Sequence, residues 1–222
     1  MKKILCAVIA ALLMLSFCSC GGKKTGPVVS ASPKDNTPTS KRFFQKSKGI
    51  DAEVYVPQMK DNKKVNDLID KTVKDFVSEN YGVNDLSLED KGTEKSPSVT
   101  LVLNYRVMLQ NDDYFSAMFS GTASGVPNAP TRFTFGIVID LKTEKLADIE
   151  KLYKVSEHQK DILDNKESYL TGGYSPSEFD GGKLSQGLSN NPTYFMTQLK
   201  LGLVLRSSYD YITLEIPLDD LG

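Results

Sequence analysis

The strongest constraint on this chain is a two-residue rhythm that begins at Ser98. Val99, Leu101, Leu103, Tyr105, Val107 and Leu109 alternate with Thr100, Asn104, Arg106 and Gln110, so an extended strand here has one apolar and one polar face. Asn111-Asp112-Asp113 marks a turn, and Tyr114 to Ser120 continues as a second strand. A third strand places Phe133, Phe135, Ile137, Ile139 and Leu141 on one side. Consecutive strands of this kind predict an antiparallel meander with a face that must be buried.

A helix is available to bury it. Val65, Leu68, Ile69, Thr72, Val73, Phe76 and Val77 recur at spacings of three and four, with Lys63, Asp67, Asp70, Lys71, Lys74 and Asp75 on the opposite face. Asp61 is the expected N-cap, and Asn80 and Gly82 the stop. Val83 to Pro97 reads as a loop with a short extended piece. After the meander, Asp140 to Lys145 reads as a turn, and Leu146, Ile149, Leu152 and Tyr153 as an apolar corner. Ser156-Glu-His-Gln159 matches a capping box that opens a second helix, Glu157 to Tyr169. The runs Tyr194 to Leu205 and Tyr211 to Leu218 predict a closing hairpin, with Ile212, Leu214 and Ile216 on one face. The expected fold class is therefore α+β: an antiparallel sheet, meander plus C-terminal hairpin, packed against two amphipathic helices.

No catalytic constellation accompanies these elements. His158 is the single histidine, in the first turn of the expected second helix, and no partner set for a metal or a nucleophile converges on it in the sequence. Asp112-Asp113 and Asp219-Asp220 fall where aspartate supports turns, although paired carboxylates are all that a glycosidase needs. Gly172-Gly173 lacks the flanking pattern of a phosphate loop. The expectation is a protein without enzymatic activity, cofactor or metal. Binding residues are expected on two loops held by the sheet. These are Thr122 to Thr131, with Ser124 and Asn128, and Thr171 to Thr193, an irregular stretch with Gly172, Gly173, Tyr174, Phe179 and Asp180.

The N-terminus speaks to location. Lys2 and Lys3 precede an apolar run from Ile4 to Phe17, of signal-peptide rather than membrane-spanning length. Phe17-Cys18-Ser19-Cys20-Gly21 resembles the lipobox of bacterial lipoproteins, with Ser19 before Cys20 in place and Phe17 where leucine is usual. Cleavage before Cys20 would leave one of the three cysteines, Cys20, which suits acylation and leaves no disulfide for the globular part. The expected organisation is a signal peptide over 1–19, an acylated Cys20 with a flexible basic linker to residue 49, and one α+β envelope domain over 50–222, divisible into 50–155 and 156–222. The expected location is exported and anchored to the bacterial membrane by lipid.

Charge is divided along this plan. Gly21 to Gly49 carries seven basic residues against one acid, and Ile50 to Gly222 carries 18 Lys and Arg against 27 Asp and Glu, a net of −9. An acidic head disfavours nucleic acid as a partner and suits a cationic protein.

Several pieces match a known pattern in order. Tyr55-Val-Pro-Gln-Met59, Val65-Asn-Asp-Leu-Ile69, the Val99 to Leu109 strand, Phe135 to Lys145 and Asp148-Ile-Glu-Lys-Leu-Tyr153 resemble the extracellular domain of the RsiV type. A related domain precedes the catalytic module of PdaC-type peptidoglycan deacetylases. Gly202-Leu-Val-Leu205 and Tyr211 to Leu218 resemble its final strands. The resemblance implies a non-catalytic α+β envelope domain, and in the RsiV case one that senses lysozyme. It departs from that family at Ser124 to Pro130, where a Gly-Gly-Ala-His-like segment is expected, so no role is carried over for that histidine. The function expected is binding or sensing at the cell envelope, with lysozyme or a peptidoglycan fragment as ligand. The alternatives are a carboxylate-only cell-wall enzyme and an accessory lipoprotein of an envelope complex.

Overall fold

The computed structural model describes residues 38–92, 94–171, 175–207 and 210–222. The signal segment and Cys20 lie outside the described residues. Strand β1 (Thr39–Ser47) pairs antiparallel with β2 (Ile50–Gln58) through the two-residue turn Lys48-Gly49. Both turn residues have positive φ, 58° and 74°, which matches the primed turn that a two-residue hairpin favours.

Helix α1 (Lys63–Tyr81) follows, and its predicted stripe is buried at Val65, Ile69, Val73 and Val77, with Tyr81, outside that stripe, buried as well. Asn62, not Asp61, is the cap. Its side chain accepts from the Val65 amide at 3.1 Å, while Asp61 takes a left-handed turn position at φ 57°. Gly82 ends the helix in the left-handed conformation, as its position predicts.

The meander forms as β3 (Val99–Gln110), β4 (Tyr114–Ser124) and β5 (Arg132–Asp140), with a two-residue β6 (Lys145–Leu146) at the edge. Asn111 builds the first turn, its side chain accepting from the amides of Asp113 and Tyr114. The first sheet runs in order from β1 to β6. Its β2–β3 pairing is parallel, because a long crossover through α1 returns the chain to the same end of the sheet. The sheet is therefore mixed where pure antiparallel pairing was expected.

Where a flexible linker was expected to run up to Gly49, Thr39–Ser47 is a strand. Four of the seven basic residues from Gly21 to Gly49 are engaged in the fold: Lys41 with Asp70, Arg42 with Glu53, Lys46 with Asp51, and Lys48 with Asp85 at 2.6 Å. Phe43 and Ala52, Val54 and Val56 of the hairpin join the core beneath α1.

The second half is built differently. Short helical pieces, α2 (Ile149–Tyr153), a 3-10 turn (Val155–His158), α3 (Gln159–Asp164) and α4 (Lys166–Tyr169), replace the single helix expected over Glu157 to Tyr169. The capping box does not form. Gln159 donates to the Ser156 carbonyl at 3.1 Å, and the Ser156 amide donates to the Glu150 carboxylate. Asn165 divides the helix by donating its side-chain amide to the Asp161 carbonyl at 2.9 Å.

Strand β7 (Leu170–Thr171) follows, then a 3-10 turn (Pro176–Glu178) and α5 (Gly181–Ser189). Strands β8 (Thr193–Met196), β9 (Lys200–Arg206) and β10 (Tyr211–Pro217) close the chain. The predicted hairpin survives as β9–β10, but its first run, Tyr194 to Leu205, is folded back on itself by a turn after Met196 into β8 and β9, and the hairpin lies in a second antiparallel sheet of order β7-β10-β9-β8 rather than continuing the first.

Each half has its own core. Under α1, Phe76 stacks on Phe135 with ring centroids 3.8 Å apart, and Phe135 on Phe119 at 4.8 Å. The second core is chiefly aliphatic, with Leu201, Leu203, Leu205, Ile212, Leu214 and Ile216 under Ile162, Phe179 and Leu184. A bulge at Met108, between Val107 and Leu109, connects the two. It shifts the β3 register by one residue, so Val107 packs with the first core and Leu109 with the second. Gly136 permits the crossing, since a Cβ there would collide with the Tyr194 carbonyl, and its amide donates to the Thr193 hydroxyl at 3.0 Å. The apolar corner is only half buried: Ile149 is inside, but Leu146 and Leu152 are 49% and 45% exposed.

Candidate functional site

A polar concavity lies at the roots of the predicted loops, a cleft of about 500 Å³ on the outer face of the meander. Its floor is the polar half of the alternation: Asn104 of β3, Ser120 and Thr122 of β4, and Arg132 and Thr134 of β5. Period-two geometry requires this, because the same strands send Leu103, Phe119 and Phe133 to the core beneath. The wall comes from the second sheet, through Thr171 of β7, Asp210, and Tyr211 and Thr213 of β10. Neighbouring hydroxyls face each other across strands, Ser120 and Thr134 at 3.4 Å, and Thr171 donates to the Thr213 carbonyl at 3.4 Å.

Both loops expected to bind leave the sheets at this cleft. Thr122 and Arg132 are the roots of one, and Thr171 opens the other. The residues singled out on those loops fare less well. Ser124 belongs to β4, where its hydroxyl lies 2.7 Å from that of Thr100, and Asn128 is exposed at the loop tip in a left-handed conformation. Neither lines the cleft. Gly172, Gly173 and Tyr174 lie outside the described residues.

Phe179 is a core residue at 0% exposure, and Asp180 caps α5 by accepting from the Lys183 amide at 2.9 Å. That hydrogen bond holds the Asp180 carboxyl below its ordinary range. The stretch expected to be an irregular loop is thus largely a turn and a helix with structural duties.

Tyr211 lines a second concavity as well, a groove of about 650 Å³ between α1 and the second sheet. The Tyr211 hydroxyl is buried, lies near that of Tyr81, and has no hydrogen-bond partner among the described residues. Tyr81 donates instead to the Pro130 carbonyl at 3.3 Å. Burial pushes the pKa of both tyrosines up, disfavouring their ionised forms, and the Arg206 charge pulls Tyr211 part of the way back.

The aspartate pairs singled out in the sequence lie outside both recesses. Asp113 pairs with Lys142 at 2.6 Å, and Asp220 accepts from the Tyr169 hydroxyl at 2.6 Å. His158 faces Asp161 at 3.6 Å, and no cluster that could hold a metal occurs among the described residues. Sequence reasoning passed over Arg132, Asp210 and Tyr211, which are separated in the chain and meet only when the second sheet crosses the first. The signal that could have found the floor was the polar side of the meander itself.

No protein-family model and no curated protein matches this chain. Among solved structures, it is similar to a DUF3298 family protein from Pseudomonas aeruginosa PAO1, with a TM-score of 0.50 and 13% identity over 84% of this chain and 94% of that one. It also aligns with a member of the DUF3298 family from Bacteroides fragilis, with a TM-score of 0.41 and 11% identity over 82% of this chain and 89% of that one. The chain is a mixed α+β protein with the fold of a DUF3298 family domain.

Proposed function

We propose that this chain is a non-enzymatic binding domain of the bacterial cell envelope, anchored by lipid at Cys20, whose outer cleft takes cell-wall glycan. The observation that carries the reading is the cleft lining. Hydroxyl and amide groups from Asn104, Ser120, Thr122, Thr134 and Thr213 offer paired donors and acceptors to a neutral, hydroxyl-rich ligand. Tyr211 adds an aromatic surface, and Arg132 a cation without an ion pair among the described residues. A glycosidase would bring two carboxylates to the bond it cleaves, and the cleft lining contributes one, Asp210. The export signal, the lipobox at Cys20 and the likeness to RsiV-type and PdaC-associated domains support the location.

Thermal shifts of the full-length protein in detergent, with muropeptides and with lysozyme at low and high salt, test this. Muropeptides are expected to raise the melting temperature at both salt concentrations, and Asn104→Ala together with Thr134→Val to remove the effect. Absence of any muropeptide shift overturns the reading. The excess of acid over base in the head favours a second reading, lysozyme as ligand. That reading is weaker for the folded unit, because Lys41, Arg42, Lys46 and Lys48 lower its net charge to 22 basic against 27 acidic residues over 36–222. A lysozyme shift that vanishes in salt would mark nonspecific attraction.

A further inference from the structure

The groove between α1 and the second sheet has chemistry that a glycan does not use. Its floor is apolar, formed by Leu68 and Phe76 of α1 with Val204 of β9. At one end stands Arg206. It donates to the Asn80 side chain, and no carboxylate pairs with it among the described residues, so most of its donors remain available. The other charges of the rim are arranged differently: Lys71 is tied to Asp75, and Glu79 is exposed to solvent on α1. Asn190 and Asn191 line the groove beside Arg206, and the same three residues line an adjoining polar recess of about 400 Å³ with Gln186, Ser189 and Ser207. Apolar floor, side-chain amides and a guanidinium without a counter-anion thus follow one another along one depression.

We propose that this groove binds the free carboxyl terminus of a short peptide that ends in an apolar residue. Arg206 takes the carboxylate through its planar fork, Asn190 and Asn191 meet the terminal peptide amide, and the last side chain lies on Phe76, Leu68 and Val204. Charge complementarity at this end chooses a carboxylate over an amine, since Arg206 has no carboxylate partner among the described residues, whereas Glu79, the rim acid without an ion pair, is exposed to solvent. The apolar floor chooses a hydrophobic terminal side chain over a sugar.

The test uses the full-length protein in detergent and the tripeptide acetyl-Ala-Ala-Leu, as the free acid and as the C-terminal amide, measured by calorimetry and by NMR shift mapping. The free acid is expected to bind at least about tenfold more tightly than the amide, the scale of a charge-assisted bidentate contact. Arg206→Gln should erase that preference, and Arg206→Lys should keep part of it. Asn191→Asp, which places a like charge beside the carboxylate, should weaken the acid more than the amide. Because Arg206 also holds Asn80, each variant is checked for an unchanged melting temperature, and Asn191→Asp carries the test if Arg206→Gln unfolds. Arg132→Gln, in the outer cleft, should leave the tripeptide unaffected. Equal affinity for acid and amide, no binding of either at millimolar concentration, or a preference that survives both Arg206→Gln and Asn191→Asp would overturn the proposal.

Discussion

The two cores solve the same problem with different materials. Under α1, one 19-residue helix lies across a long-stranded sheet, and the contact is sealed by stacked rings of Phe76, Phe135 and Phe119. In the second half, no helix among the described residues exceeds nine residues, and burial depends on aliphatic rows of β9 and β10 and on glycines that let elements approach closely. Gly187 brings α5 against Leu205, and Gly202 leaves room for the Phe195 ring. Long periodic elements tolerate local change because many contacts share the load, whereas short pieces fitted at glycines depend on single positions.

Substitutions can break or sharpen that contrast. Phe135→Ala removes the ring between Phe76 and Phe119 and should cost about 3–5 kcal/mol in denaturant unfolding. Leu184→Ala in the second core should cost about 2–5 kcal/mol. Since Gly136 and Ser116, whose hydroxyl accepts from the Met196 amide at 2.8 Å, join the halves, both variants should still unfold in one transition. Separate transitions by near-UV dichroism and hydrogen exchange would show the cores to be independent. Gly136→Ala, which drives a methyl into the Tyr194 backbone, should cost about 1–3 kcal/mol by the same measurement.

Smaller effects are expected at the margins. Asn62→Ala at the α1 cap should cost about 1 kcal/mol. The Tyr169 hydroxyl, buried and donating to Asp220, has its pKa pushed up to about 12 from 10.0. The neutral form is the one the fold favours, so its contribution is complete below pH 10 and is lost as pH rises toward 12. Tyr169→Phe should flatten that part of the alkaline stability profile, and an unchanged slope would refute the assignment.

The same contrast explains what could be read from the chain. The Val99 to Leu109 alternation, the Val65 to Val77 stripe and the β9–β10 hairpin are local patterns, and the structure contains all of them. Strand β1 was hidden because its lysines and arginine give it the composition of a linker, and their partners Asp70, Glu53, Asp51 and Asp85 come from other elements. Phe179 has the sequence surroundings of a loop residue because its burial depends on Leu184 and on strands that follow it in the chain. The candidate cleft was legible only as a polar strand face. Its wall is supplied by a sheet whose crossing at Gly136 no local pattern announces.

Strand β1 also decides how a mechanical load would enter this molecule. Any pull on the chain ahead of Thr39 reaches the edge strand first, where it meets the ladder to β2, the buried Phe43 ring and the Lys41 link to Asp70 on α1. Tension is thereby shared between a hairpin and α1 before it reaches β4, β5 or β10. The outer cleft, on β3, β4, β5 and β10, lies downstream of that clamp, whereas the groove takes its floor from α1 itself, so a pull on β1 would reach the groove before it reached the cleft.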